Sequence, residues 1–179
     1  MQRLKCFIVW LRRLRHSSGF GIQSPSDYWL TRYVINEHWP YYHYELLGKG
    51  DGKLQQKLGR LFFRLANWRQ PRFVISDGWH DYLQAGCQQA HVISWHDCGY
   101  DIPDMVVLPM GDDSRERLTH IYTKVNEQSV LVVEDIQNDK NLWRDIISDE
   151  RTGVTFDLYY CGLVFFDKKR TKQHYIINF

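Results

Sequence analysis

The sequence predicts an α/β fold with a mostly parallel sheet and helices on both faces, and two observations support this prediction. Short apolar runs without polar alternation recur through the second half of the chain, separated by stretches with helical periodicity. Such runs are typical of parallel strands that are covered on both faces. The end of the chain instead has three apolar runs with no room for helices between them, which predicts antiparallel connections there.

The first third of the chain is predicted to be helical. Ser24 is suited to cap a helix of roughly residues 25–37, because Pro25 follows it at the position that proline favours in a first helical turn. We expect residues 1–70 to form a helical segment that packs on a core of residues 71–179, within one domain.

A second helix is predicted over residues 54–68, where leucines recur at helical spacing, and Pro71 ends it. Further helices are predicted around residues 118–125 and after Asn138, which is the expected cap. The predicted strands are residues 72–76, 91–95, 104–108, 129–134, 154–160, 163–166 and 174–179.

Composition excludes several classes of protein. With 179 residues, 44% of them hydrophobic, the chain fits one folded domain rather than a disordered one. Its four cysteines form no CxxC pair, which favours reduced thiols and a cytoplasmic protein. The apolar run of residues 6–11 is too short for a signal peptide or a membrane span, so no transmembrane segment is predicted. No GxSxG, P-loop or HExxH motif supports a hydrolase, an NTPase or a zincin.

Charge is unevenly distributed along the chain. Residues 96–150 hold thirteen acids and five bases, whereas the rest holds eighteen bases and eight acids. We expect two solvated faces of opposite charge. The basic N-terminal helix is expected to pack on the domain, the alternative being an anionic membrane surface. The basic residues of 168–172 are expected to form a solvated turn, and nucleic-acid binding is disfavoured.

Three stretches resemble bacterial class I S-adenosylmethionine-dependent methyltransferases with an O-methyltransferase-like fold. They are GFGIQSP at residues 19–25, GRLFFRLAN at 59–67, and a tail of FDLYYCGLVFF at 156–166 with KQHYIINF at 172–179. The resemblance implies a Rossmann-like class I methyltransferase fold with N-terminal helices and a C-terminal antiparallel hairpin. Only six residues separate Asp97 from Asp104, where the family has a helix, a strand and another helix. The fold is therefore predicted to be shortened by about one strand–helix unit.

The resemblance also implies where the cofactor S-adenosylmethionine would bind. In the family, a glycine-rich loop after the first strand lets the backbone approach the cofactor, and an acid ending the second strand takes the ribose hydroxyls. Here only one glycine remains in the loop, and a tryptophan follows it. That tryptophan either stacks on adenine or fills the loop, and the second is expected. The corresponding residues are Ser76, Asp77, Gly78, Trp79, His96 and Asp97.

Glu134 and Asp135 end the strand of residues 129–134, where metal-dependent relatives place an acid–amide pair, and are the catalytic candidates. Two carboxylates are suited to Mg²⁺, but a further ligand is missing, so no metal site is predicted. Zinc-type side chains also crowd one stretch, but their spacing matches no zinc pattern. They are His80, Cys87, His91, His96 and Cys98.

These observations predict a divergent S-adenosylmethionine-dependent methyltransferase-like protein that has lost, or much weakened, its cofactor binding. It would act as a non-catalytic binding or assembly module, with a small molecule, another protein or a second copy of itself as partner. The alternative is an active O-methyltransferase with an atypical pocket that acts on an unknown small molecule. The missing unit between Asp97 and Asp104 weighs most toward the first hypothesis.

Overall fold

The computed structural model describes residues 2–97, 99 and 102–179. Within these residues, seven strands form a single sheet. The strands are β1 (Phe73–Ile75), β2 (His91–Ile93), β3 (Met105–Leu108), β4 (Val130–Glu134), β5 (Val154–Asp157), β6 (Cys161–Phe165) and β7 (Gln173–Ile176). The α-helices are α1 (Gln2–Arg12), α2 (Pro25–Leu30), α3 (Lys53–Arg69), α4 (His80–Gly86), α5 (Ser114–Tyr122) and α6 (Lys140–Ser148). A π-helical stretch, Thr31–Ile35, continues α2.

The sheet has the strand order β2-β1-β3-β4-β6-β5-β7. Strands β1 to β4 are parallel neighbours, with Val74 opposite Met105 and Met105 opposite Val130. Strand β6 is antiparallel to both of its neighbours, β4 and β5. The predicted α/β fold is confirmed: it is a Rossmann-like, mostly parallel sheet with antiparallel pairing near the C-terminus and helices before the first strand.

Both faces of the sheet are covered, as the unalternated strands predicted. Alternate strand residues such as Met105 and Val132 join one buried cluster with α3 and α4. Their neighbours, such as Val106 and Val133, join a second cluster with α5 and α6. Because the side chains of β3, β4 and β6 are almost all buried on one face or the other, these strands carry no polar alternation, whereas the edge strands β2 and β7 are more exposed.

The C-terminal strands differ from the prediction in one respect. The strand inserted antiparallel is β6, whereas the last strand, β7, pairs in parallel with β5, with Val154 opposite Gln173. The loop of residues 168–172 therefore crosses over β5 instead of joining two neighbouring strands. Since β6 lies between β4 and β5, the outer edge of β5 is free, and β7 covers it.

At the opposite edge, β2 is the outermost strand of the described part of the chain. Strand β3 begins at Met105 on the other side of β1, and only eleven residues separate it from the end of β2 at Ile93, which agrees with the predicted loss of a strand–helix unit. A 3-10 turn, Trp95–Asp97, begins this connection. Cys98, Tyr100 and Asp101 lie outside the described residues.

Two predicted helix boundaries are wrong by a few residues. Asp139 caps α6 through hydrogen bonds from the backbone of its first turn, so the predicted cap Asn138 lies one residue too early. Helix α5 ends at Tyr122, before Val125. Ser24 does cap α2 as predicted, accepting from the backbone N–H of Asp27. The division at residue 70 stays a prediction.

Two glycines in the stretches that resemble the methyltransferases lie where an aromatic side chain packs closely against the backbone. Gly59 in α3 faces Tyr82 of α4, where an added Cβ would lie 2.4 Å from the ring. Gly162 in β6 lies under Trp143 of α6, where a Cβ would be 2.3 Å from the indole. Both are packing glycines, since any side chain there would collide with an aromatic ring.

No helix in the described ranges is both long and apolar enough to cross a membrane.

Candidate functional site

The candidate site lies at the edge of the sheet where β1, β3 and β4 have their carboxyl ends. Loops that follow parallel strands meet at such an edge, which is where open α/β sheets bind ligands. Two parts of this edge differ. The β2 half comprises the loops after β1 and β2 together with α5. The β4 half comprises the end of β4, Trp79 and the cavity beneath α1 and α3.

Ionic and aromatic contacts close the β2 half. Asp77 accepts a hydrogen bond from the backbone N–H of Trp95 at 2.9 Å and pairs with Arg117 at 3.0 Å. Arg117 also pairs with Asp113 at 2.7 Å, and its guanidinium lies 5.1 Å from the centre of the Trp95 ring. The Trp95 indole donates to the carbonyl of Val107 at 2.9 Å. These contacts join the loops after β1 and β2 to α5.

The other predicted cofactor residues of this half form local hydrogen bonds. The Ser76 hydroxyl is buried and donates to the carbonyl of Gly78, which closes the loop on itself. The Ser94 hydroxyl donates to the Asp97 carboxylate at 2.8 Å, as in a capped turn. His96 is exposed. The structure thus brings the predicted residues to one edge, where Ser76, Asp77 and Asp97 bond to groups of the same loops.

Trp79 connects the two halves. Its backbone is left-handed, with φ of 64°, a conformation that usually favours glycine. The indole ring stacks on Phe62 of α3, with ring centres 4.6 Å apart. Its N–H donates to the Glu134 carboxylate at 2.6 Å. A non-glycine residue in this conformation is strained by about 1–3 kcal/mol, and the stack and the hydrogen bond hold it there.

The β4 half contains a cavity of about 1280 Å³. Apolar and polar side chains both line it. They are Phe7, Trp10, Asp51, Lys53, Leu54, Gln55, Lys57, Leu58, Phe62, Trp79, Glu134, Asp135, Tyr160, Cys161 and Phe179. A cavity of this size that combines apolar walls with polar groups is suited to a small organic molecule.

Glu134 is the most perturbed acid of the edge. Burial raises the pKa of its carboxyl, the hydrogen bond from Trp79 opposes this, and the charge of Asp135 adds to it. The neighbouring Asp135 is exposed and has a left-handed backbone, with φ of 45°. Cys161 lies opposite Glu134 in the sheet, and burial raises the pKa of its thiol. The thiol is therefore protonated at neutral pH, and Glu134 is the group of this cavity best placed to exchange a proton.

The zinc-type side chains do not gather. Among the described residues no group of three or more histidines, cysteines and acids is placed to hold a metal ion. Cys87 is buried and donates to the carbonyl of Pro71, whereas His80 and His91 are exposed. Cys98 lies outside the described part of the chain.

Sequence reasoning missed three residues that shape the edge. Phe62 carried only a helical apolar pattern, and nothing in that pattern distinguished it from its neighbours. Arg117 lies in an exposed helix, where an arginine is ordinarily solvated. Trp95 was assigned to the predicted strand of residues 91–95, so its position in the turn after β2 gave no signal either.

Comparisons with known proteins find little similarity in sequence. No protein-family model matches the chain, and no curated protein matches it. A crystal structure of a methyltransferase from Geobacter sulfurreducens is similar over 60% of this chain and 78% of that one. The identity is 13% and the TM-score is 0.45. With so low an identity, no residue of that protein is carried over to this chain.

Proposed function

We propose that this chain is a methyltransferase-like protein that has lost S-adenosylmethionine binding and uses the cavity of the β4 half to bind a small organic molecule. The proposal takes the fold and the resemblance in the sequence as signs of ancestry. It assigns present function to the part of the edge that still has room for a ligand.

The proposed loss of cofactor binding rests mainly on the contacts that Asp77 makes with Arg117 and Trp95. The resemblance implies that a backbone loop at Asp77 and an acid at the end of β2 hold the cofactor. In this chain, Asp77 is engaged by Arg117 and by the backbone of Trp95. The acid after β2, Asp97, accepts from Ser94. Both acids therefore have partners within the protein, which supports the proposed loss of cofactor binding.

Trp79 supports the same interpretation. A glycine-rich loop lets a ligand approach the backbone, but here the residue after Gly78 is a large side chain stacked on Phe62. The Trp79 indole also occupies one oxygen of Glu134. The loop therefore binds protein groups at the points where it would otherwise face a ligand.

The aromatic and charged side chains that line the cavity support binding of a small amphipathic molecule. Apolar groups of such a ligand would bury against Phe62 and Tyr160, and a hydrogen-bond donor would meet Glu134. Binding of this kind needs no bond to be made or broken. A carboxyl with a raised pKa is suited to it, because a partly desolvated acid accepts a donor more strongly than a solvated one.

Isothermal titration of the purified protein with S-adenosylmethionine and S-adenosylhomocysteine tests the proposal. We expect no heat of binding and no thermal shift up to millimolar ligand. The same protein is then screened against small aromatic amines and acids, with tryptophan fluorescence as the readout. A hit should be weakened by Glu134→Gln or Phe62→Leu and unaffected by Glu116→Gln, which is an exposed glutamate of α5.

The alternative function, an active O-methyltransferase with an atypical pocket, is favoured by one observation. An added Cβ at Gly78 would meet no atom within 4 Å, so space is open above this residue. Micromolar affinity for S-adenosylmethionine would overturn the proposal in favour of this alternative. Glu134 would then be the candidate general base.

A further inference from the structure

Large hydrophobic side chains are exposed mainly in one part of the molecule. Of the fifteen that are exposed in the described residues, twelve lie between residues 7 and 46. Helix α1 contributes four of them. Soluble domains rarely concentrate exposed apolar groups in this way unless the surface contacts something.

The same part of the chain is strongly basic. Residues 1–70 contain twelve lysines and arginines against four acids, whereas residues 71–179 contain eleven against seventeen. Helices α1 and α3 contain no acid at all. We define the aromatic–basic surface as the exposed side chains Phe7, Ile8, Trp10, Leu11, Arg12, Arg15, Phe20, Tyr28, Trp29, Arg32, Tyr33 and Trp39.

These side chains belong to adjoining elements. Trp10, Arg32 and Trp39 line one cavity of about 900 Å³, which places α1 beside the end of α2. The rings of Trp29 and Tyr33 lie 5.7 Å apart. The wall of this cavity also contains the cations Arg60 and Arg64 and the acids Glu37 and Glu45.

Polar contacts hold the end of α1 on the domain. Arg13, directly after α1, pairs with Asp157 at 2.8 Å and donates to the carbonyls of Asp157 and Ile177. Asn178 donates to the carbonyl of Trp10. On the helix itself, Ile8 and Leu11 remain 40% and 48% exposed.

We infer that the aromatic–basic surface binds the surface of an anionic lipid bilayer. Interfacial helices combine arginine and lysine with tryptophan, phenylalanine and leucine, since the cations meet lipid phosphates while the apolar groups enter the headgroup region. Tryptophan and tyrosine prefer that boundary because one part of each ring system is apolar and another is polar. Protein interfaces are also enriched in aromatic residues and arginine. The excess of cations over acids in residues 1–70 is what favours an anionic bilayer as the partner.

Flotation with lipid vesicles tests this inference on the full chain. We expect binding to vesicles of phosphatidylcholine with phosphatidylglycerol, weak binding to phosphatidylcholine alone, and release by high salt. The double variant Ile8→Ser and Leu11→Ser should lower the vesicle affinity about tenfold or more, since two apolar insertions are lost. Its control is Ile102→Ser with Ile176→Ser, which changes residues of similar exposure outside the surface.

A second pair of variants tests the charge. Arg12→Glu with Arg15→Glu should also lower the vesicle affinity about tenfold or more, because each cation near an anionic membrane contributes to binding. Lys140→Glu with Lys168→Glu changes the net charge equally and should leave binding unchanged. Circular dichroism of each variant confirms folding.

Three outcomes would overturn the inference. They are equal binding to neutral and anionic vesicles, no binding to either, or equal losses in the variant and control pairs. If the protein does not bind vesicles but self-associates, and Ile8→Ser with Leu11→Ser abolishes the self-association, the surface would be assigned to a second copy of the chain instead.

Discussion

The two halves of the carboxyl edge have opposite arrangements of polar groups. In the β2 half, Arg117 pairs with both Asp77 and Asp113, and Trp95 lies against its guanidinium. In the β4 half, Glu134 has one short hydrogen bond, to Trp79, and otherwise faces a cavity. One half is closed by contacts within the protein, and the other keeps room for a ligand.

Under the proposed function, ligand sites on one fold would be kept or lost separately. The β2 half is the part of the sheet that is shortened, since β2 is its outer strand in the described residues. In this half the Arg117 guanidinium lies against the Trp95 ring. The β4 half adjoins α3 and β6, which are complete, and its cavity is framed by them.

The largest expected effect comes from Phe62, which supports Trp79 from below. Phe62 is 0% exposed, and Phe62→Ala should lower the free energy of unfolding by about 3–5 kcal/mol, because a cavity replaces a buried ring. Urea denaturation followed by circular dichroism measures this. Phe20→Ala is the matched control, since that ring is 86% exposed and its loss should change stability by less than about 0.5 kcal/mol. Equal effects of the two variants would contradict the described packing.

The next effect tests the closure of the β2 half. Arg117→Ala should lower the free energy of unfolding by about 1–2 kcal/mol, since two ion pairs and the contact with Trp95 are lost together. Arg115→Ala is the control on the same helix. The Arg115 side chain is 59% exposed against 19% for Arg117, so we expect a change within about 0.5 kcal/mol. If Arg115→Ala were the more harmful variant, the proposed network would be wrong.

The fold was largely predictable, because its signals are local. The unalternated strands, the capped α2 and the short link after Asp97 each follow from neighbouring residues. The position of β7 was not predictable, since it depends on which sheet edge is left free once β6 is inserted. The cap of α6 was misplaced because Asn138 and Asp139 are both good caps, and only the backbone geometry decides between them.

The sequence placed the candidate site at the carboxyl edge of the sheet but did not predict the contacts within it. Loop residues follow directly from strand ends, so Ser76 and Glu134 could be assigned to it. Their partners could not, because Trp79 meets Glu134 across 55 residues and Arg117 meets Asp77 across 40. Such contacts depend on how the helices pack on the sheet, which no local sequence pattern predicts.

A smaller effect concerns the acid of the β4 half. Because burial raises the pKa of Glu134, the folded state binds its proton more tightly than the unfolded state does. The contribution of Glu134 to the free energy of unfolding should therefore fall as the pH rises from the ordinary glutamate pKa through the raised one. Above the raised pKa it should level off. Glu134→Gln should flatten this part of the stability profile, whereas the exposed Glu116→Gln should not. Unfolding midpoints in urea across mildly acidic to neutral pH measure it, and a decline that survives in Glu134→Gln would assign it to another group.

The smallest effect distinguishes the two interpretations of Asp97. If Asp97 only accepts from Ser94 in an exposed turn, Asp97→Asn should change the free energy of unfolding by less than about 0.5 kcal/mol. Asp97→Asn should also leave the response to S-adenosylmethionine unchanged, because the protein is proposed not to bind this cofactor. The variant is compared with wild type by urea denaturation and by thermal shift with and without the cofactor. A cofactor-dependent shift in wild type that Asp97→Asn removes would make the β2 half a working ribose site, and the two halves of the edge would then be parts of one pocket.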